Sequence, residues 1–211
     1  MPTDPDAGTR RRLAVVLSDC RAVPPPGIDP ETFARACLAD TYEVLAQLVG
    51  VESGIAGPEW TGALLWPGGR RIAPDRDLAE VIEACVGVDE VVLVAGDAPD
   101  LPGLVVAKMF RALQRADACV APERAGSGCV GVGVRLPLAG WLSGPASPLR
   151  GAGLDQDLTA LLAGRTPRRS RLAVTPDWHR LRTPDSVHRL DPGLEGWEET
   201  RALLSGHRLS G

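Results

Sequence analysis

The residues best placed to do chemistry are Asp97 and Asp100, in the stretch EVVLVAGDAPDLP from Glu90 to Pro102. The apolar, mostly β-branched run Val91-Val92-Leu93-Val94 predicts a central strand buried on both faces of a parallel sheet. Gly96-Asp97-Ala98-Pro99-Asp100 is tight-turn chemistry. Pro102 suits the first turn of a helix, where a missing N–H costs little. Two carboxylates therefore fall just past the carboxyl end of a central strand, where open α/β sheets bind ligands. The plainer alternative is a turn whose charges favour the N-terminus of the next helix.

The other reactive residue types are less well placed. His179, His188 and His207 have no cysteine or carboxylate at metal spacing and read as surface residues. Ser127 sits between glycines but outside a strand–turn–helix frame, so it is not a nucleophile. Five scattered cysteines without CxxC spacing exclude a disulfide framework and a zinc site. They read as small buried thiols of a reducing compartment. Trp141, Trp178 and Trp197 read as core or lid packing. Arg70-Arg71 and the cluster Arg165, Arg168, Arg169, Arg171 read as solvated faces, an anionic partner being the sharper reading of the cluster.

These residues need a scaffold. Leu13 to Leu17 predicts a first central strand, ending at Ser18-Asp19-Cys20-Arg21, which puts Arg21 within reach of a phosphate. Asp29 as N-cap and Pro30 at N1 predict a helix to about Val49. Short strands are expected over 51–56 and 61–66, with a flexible loop over 67–71. Asp75 and Asp77 precede a helix ending near Val86. After the central strand come a helix from Gly103 to Arg115, strands over 117–122 and 129–136, and a glycine- and proline-rich loop around Trp141. A short helix over 155–163, a last strand at 172–174, a turn at Thr183-Pro184-Asp185 and a helix over 194–204 complete the chain. Alternating strands and helices predict an α/β three-layer sandwich with a mostly parallel central sheet.

With 211 residues the chain suffices for one sizeable core. Residues 1–12 read as a disordered leader and 13–211 as a single domain. A net charge of −4 argues against a general nucleic-acid surface. No apolar run approaches the roughly 20 residues a membrane helix needs, and the polar N-terminus is not a secretory signal. The expectation is a cytoplasmic protein with no membrane or nucleic-acid partner. Oligomeric state is not readable from the sequence.

The order of elements, with Gly96-Asp97-Ala98-Pro99-Asp100-Leu101, Pro26-Gly27-Ile28-Asp29-Pro30-Glu31 and Gly131-Val132-Gly133-Val134-Arg135-Leu136-Pro137, resembles the GT-A superfamily of nucleotide-diphospho-sugar transferases. More narrowly it is similar to small bacterial glycosyltransferase-like proteins related to phospholactate guanylyltransferase, over about residues 13 to 190. The resemblance implies a nucleotide or nucleotide sugar as partner, and glycosyl or nucleotidyl transfer assisted by Mg²⁺ or Mn²⁺. Asp97 would be the main metal-side and catalytic carboxylate, Asp100 a second ligand, and Arg21 a phosphate contact. The chain departs from the family pattern in three places. Its phosphate loop holds only Arg21 and three prolines, which lack N–H donors. Arg124-Ala125-Gly126-Ser127-Gly128 lacks an acidic residue before the glycines. Arg180-Leu181-Arg182-Thr183-Pro184 stands where the family shows Asp-x-Asp-Thr-Pro. Arg182 either binds phosphate directly in the metal's electrostatic role or marks a lost site. The alternative function is therefore a non-catalytic relative that binds a nucleotide or a protein.

Overall fold

The computed structural model describes residues 10–73, 77–168 and 171–206. Seven strands form one sheet: β1 (Arg12–Leu17), β2 (Glu52–Ala56), β3 (Arg70–Ile72), β4 (Glu90–Ala95), β5 (Ala118–Pro122), β6 (Cys129–Arg135) and β7 (Leu172–Val174). Their spatial order is β3-β2-β1-β4-β6-β5-β7. The pairs β1–β2, β1–β4, β2–β3 and β5–β7 are parallel, and β6 runs antiparallel between β4 and β5.

The two central strands are apolar throughout because both of their faces are covered. Leu13, Val15 and Leu17 of β1 and Val91, Leu93 and Ala95 of β4 face one apolar cluster; Ala14, Val16, Val92 and Val94 face another. That is the period-two alternation of a strand buried on both sides. The first cluster is closed by α2 (Leu78–Ala84) and α4 (Leu158–Ala163), the second by α1 (Pro30–Ala46) and α3 (Gly103–Leu113). The molecule is thus a three-layer α/β sandwich with a mostly parallel sheet.

Local chemistry sets the elements. Asp29 caps α1, accepting from the Thr32 N–H at 2.8 Å, with Pro30 in the first turn. The glycines of β6 admit close neighbours: a Cβ at Gly131 would lie 2.9 Å from the Leu93 carbonyl oxygen, and one at Gly133 2.7 Å from Cys119 Sγ.

Several expectations change. Glu59–Leu64 is a 3₁₀ turn where a strand was expected, because Pro58 opens a turn that the Thr61 hydroxyl closes on the Pro58 carbonyl at 2.7 Å. The strand comes later, as β3, overlapping the end of the expected flexible loop; Arg70 is tied there to Glu52. Most helices are shorter than their apolar periodicity suggested, and the terminal one is α5 (Glu198–Gly206). His179 is 3% exposed and not a surface residue. Of the expected leader, residues 1–9 lie outside the described residues, whereas Arg10 and Arg12 both bind Glu90 at 3.0 Å and Arg12 opens β1. Asp75, Arg169 and His207 also lie outside the described residues. All five cysteines are buried and free. Among the described residues no helix is long and apolar enough to cross a membrane.

Candidate functional site

The loops after β1 and β4 meet at the carboxyl ends of the parallel strands, and a third segment is laid between them. The Leu181 N–H donates to the Asp97 carbonyl at 2.8 Å, and the Val23 N–H donates to the Leu181 carbonyl at 2.7 Å. Leu181 itself packs with Phe33, Val187, Leu190 and Trp197 in a small apolar cluster of its own. With Leu181 pinned on its backbone and side chain, the flanking Arg180 and Arg182 are aimed into the site.

Arg180 is the largest fully buried side chain among the described residues. Its Nε donates to Asp97 Oδ1 at 2.7 Å and its Nη2 to Oδ2 at 3.0 Å, a bidentate pair. Its Nη1 donates to the carbonyls of Cys129 and Leu154, each at 3.2 Å, and lies 2.9 Å from Asp155 Oδ1. The guanidinium is thus surrounded by oxygen. Burial alone would lower its pKa; the hydrogen bonds and charge of Asp97 outweigh this and hold it above the ordinary arginine value. Cys20 lies close by, and burial pushes its thiol well above the usual range, so it is a neutral thiol and not a nucleophile.

The charge chain continues outward. Arg182, 35% exposed, donates to Glu123 Oε2 at 3.1 Å and pairs with Asp155 at 3.5 Å. Glu123 is buried beneath the turn Gly126-Ser127-Gly128; a Cβ on Gly128 would come within 3.0 Å of its Oε2 and 2.7 Å of the Leu154 carbonyl. Asp97, Asp155 and Glu123 face Arg180 and Arg182, so by formal charge this network carries one negative charge in excess.

Asp100 is buried and separately engaged. Its Oδ1 accepts from Trp178 Nε1 at 3.1 Å, and its Oδ2 accepts from the Asp191 N–H at 3.1 Å. His179 Nε2 lies 2.9 Å from Oδ1 but out of line for a hydrogen bond. Asp97 and Asp100 thus turn to different partners: one fixes Arg180, the other clamps the returning segment 178–191. Arg21 is exposed at the carboxyl end of β1, with no ion pair among the described residues.

Beside this network Ser18, Asp19, Asp77, Leu78, Gly153 and Leu154 line a cleft of only about 40 Å³, room for a few waters and too narrow for a nucleobase. Asp77 fastens its rim, accepting from the Glu80 N–H at 2.9 Å and the Gly151 N–H at 2.8 Å.

These residues do not fit the metal the resemblance implies. Both Asp97 oxygens serve a buried guanidinium, both Asp100 oxygens serve neutral donors, and no group of three or more His, Cys, Asp or Glu is arranged to hold a metal ion among the described residues. Arg180, a departure from the family pattern in the sequence, is the hub of this charge network. One signal pointed to it: the single apolar Leu181 between two arginines and ahead of the Thr183-Pro184 turn, as expected of an inserted extended segment.

No protein-family model and no curated protein matches the sequence. Solved structures do match in fold. A provisionally named nucleotide-diphospho-sugar transferase from Desulfovibrio desulfuricans G20 aligns with 93% of this chain and 95% of its own, at 16% identity and a TM-score of 0.58. CMP:2-keto-3-deoxy-manno-octonic acid synthetase complexed with CTP aligns with 93% of this chain and 99% of its own, at 12% identity and a TM-score of 0.52. Rv0371c from Mycobacterium tuberculosis H37Rv, in complex with manganese, aligns with 86% of this chain and 97% of its own, at 16% identity and a TM-score of 0.52.

Proposed function

We propose that the protein binds a nucleoside phosphate at the carboxyl ends of β1 and β4, through arginine and not through a divalent metal. The observation that carries this is the bidentate hold of Arg180 on Asp97, which commits the expected metal carboxylate to a fixed cation. Arg21, exposed and without an ion pair among the described residues, and Arg182, part-exposed and paired with Glu123 and Asp155, are the cations placed to meet phosphate. Access requires Asp155 and its loop to move off the cleft and Arg182 to exchange Glu123 for the ligand. The fold supports nucleotidyl transfer as the general reaction class. Glycosyl or nucleotidyl transfer at this site would rest on positioning and charge neutralisation by arginine. The buried free thiols support a reducing, cytoplasmic setting.

A second reading is a non-catalytic relative that engages a protein partner. The narrow cleft and the excess negative charge of the network favour it.

Thermal unfolding against nucleotides and nucleotide sugars, with EDTA or with Mg²⁺ or Mn²⁺, tests the proposal. A ligand at about 100 times its dissociation constant adds about 2.7 kcal/mol, a rise of several degrees. The expected result is a rise in EDTA that disappears in Arg182→Ala. A rise that requires metal overturns the arginine reading. No rise with any nucleotide overturns nucleotide binding and leaves the protein-partner reading.

A further inference from the structure

The opposite end of the sheet holds a second charged constellation. β5 and β4 run the same way, so Asp117, just before β5, lies about 20 Å from the Asp97 end, one strand length away. The order β6-β5-β7 sets Arg135, Asp117 and Arg171 side by side at this end. Backbone bonds lock the three together: the Arg135 N–H donates to the Asp117 carbonyl and the Asp117 N–H to the Arg171 carbonyl, each at 2.9 Å. Their side chains converge as well. Asp117 Oδ1 accepts from Arg135 Nη2 at 3.0 Å and from Arg171 Nη1 at 3.1 Å, and Oδ2 accepts from Trp141 Nε1 at 3.1 Å.

The Asp117 side chain is 8% exposed, while the Arg135 and Arg171 side chains are 34% and 49% exposed. One buried carboxylate therefore holds two partly exposed arginines, each with N–H donors beyond the one it gives to Asp117. These groups border an open depression of about 470 Å³, with Pro137, Trp141 and Pro167 in its walls. That volume is in the range of small-ligand sites. Among the described residues its charged lining is one aspartate and two arginines, an excess of one positive charge in a protein whose net charge is −4. Trp141 commits its N–H to Asp117, which fixes the ring and leaves its apolar surface as wall. Two pre-oriented guanidiniums are the recognition chemistry of carboxylates and phosphates, and an indole wall is that of a flat or apolar group.

The geometry points to a binding site here for a small organic anion: a phosphate monoester or carboxylate held by Arg135 and Arg171, with a flat or apolar group against Trp141. The site is separate from the Asp97–Arg180 network and does not depend on the function proposed for it.

The test is a titration of the full chain, labelled with ¹⁵N, with phenyl phosphate, benzoate and inorganic phosphate, read at the tryptophan indole N–H resonances. The Trp141 resonance is assigned with Trp141→Phe. The expected result is a saturable shift of that resonance with phenyl phosphate or benzoate, weaker with inorganic phosphate. Affinity should fall about tenfold or more in Arg171→Gln and in Arg135→Gln, the loss expected for a charge-assisted hydrogen bond, and stay unchanged in Arg182→Ala. If one glutamine variant fails to fold, the other decides. Preference between phenyl phosphate and benzoate distinguishes the two anions. Absence of a saturable Trp141 shift with all three probes at millimolar concentration overturns the site, as does equal affinity in a folded glutamine variant.

Discussion

Arg180 and Asp97 form a fully buried bidentate ion pair, each side chain 1% exposed, with contacts of 2.7 and 3.0 Å. A charge pair this deep is stable only if each member is matched, because desolvating either ion alone costs several kcal/mol. The match is complete here, since the guanidinium also serves two backbone carbonyls and Asp155. The pair ties the loop after the central strand to the segment that returns across it, so the site and the fold share their main fastening.

Arg180→Met should therefore lower stability by about 3 to 5 kcal/mol at neutral pH, by leaving the Asp97 charge buried without a partner. Adding Asp97→Leu removes that charge and should recover a large part of the loss. Urea unfolding of the two single variants and the double variant reads the coupling directly. Strict additivity of the two losses would show that the pair does not act as a unit.

Asp100 separates a metal role from a structural one. Carboxylates kept for a metal repel when the metal is absent, so removing one raises the stability of the metal-free protein. Asp100 instead accepts from Trp178 and from the Asp191 backbone. Asp100→Ala should cost about 1 to 3 kcal/mol in EDTA, through the loss of two part-buried hydrogen bonds to its carboxylate. A gain in stability would return Asp100 to the metal candidates.

The strand at Glu90–Ala95 and the turn that presents Asp97 were legible because both follow from local pattern: an unbroken β-branched run, then Gly-Asp and proline. The partner of Asp97 was not, because it lies 83 residues away and is an arginine, a residue type that composition reads as surface. His179 was misplaced for the same reason: its burial comes from the apolar anchor at Leu181 and the clamp at Asp100, neither visible in its neighbours. The strand at Arg70–Ile72 escaped because two of its three residues are charged and it lies at the sheet edge. It is held there by Glu52 across the strand pair and not by hydrophobic alternation.

Gly128 is a position where one methyl group should disturb the site without altering any charged residue. A Cβ there would sit 2.7 Å from the Leu154 carbonyl, which serves Arg180, and 3.0 Å from Glu123 Oε2, which serves Arg182. The carbonyl is backbone and yields little. Gly128→Ala should cost about 1 to 3 kcal/mol by overpacking, and it should loosen Arg182 more than Ser127→Ala, which adds no such contact. Proton exchange at the Arg182 side-chain N–H groups, measured by NMR in both variants, checks this. Equal exchange in the two would separate the glycine turn from the arginine.

The cleft rim gives a pH dependence whose sign is set by Asp77. Burial pushes its carboxyl upward, but the N–H groups of Gly151 and Glu80 outweigh that, and the pKa is lowered below its ordinary value near 3.8. A lowered folded-state value means the carboxylate binds protons less readily in the native state than in the unfolded chain. Its stabilisation is therefore complete above about pH 4 and is lost as pH falls through the folded value. Asp77→Asn should be less stable than the parent at pH 7, and the gap in urea midpoint should narrow as pH falls below about 4. Because Asp77 holds both the start of α2 and the Gly151 loop, the same acidification should lower the protection of the Gly151 and Glu80 amides, measured relative to their intrinsic exchange rates, before global unfolding. A gap that stays constant from pH 7 to pH 3 would mean that the charge of Asp77 does not hold the rim.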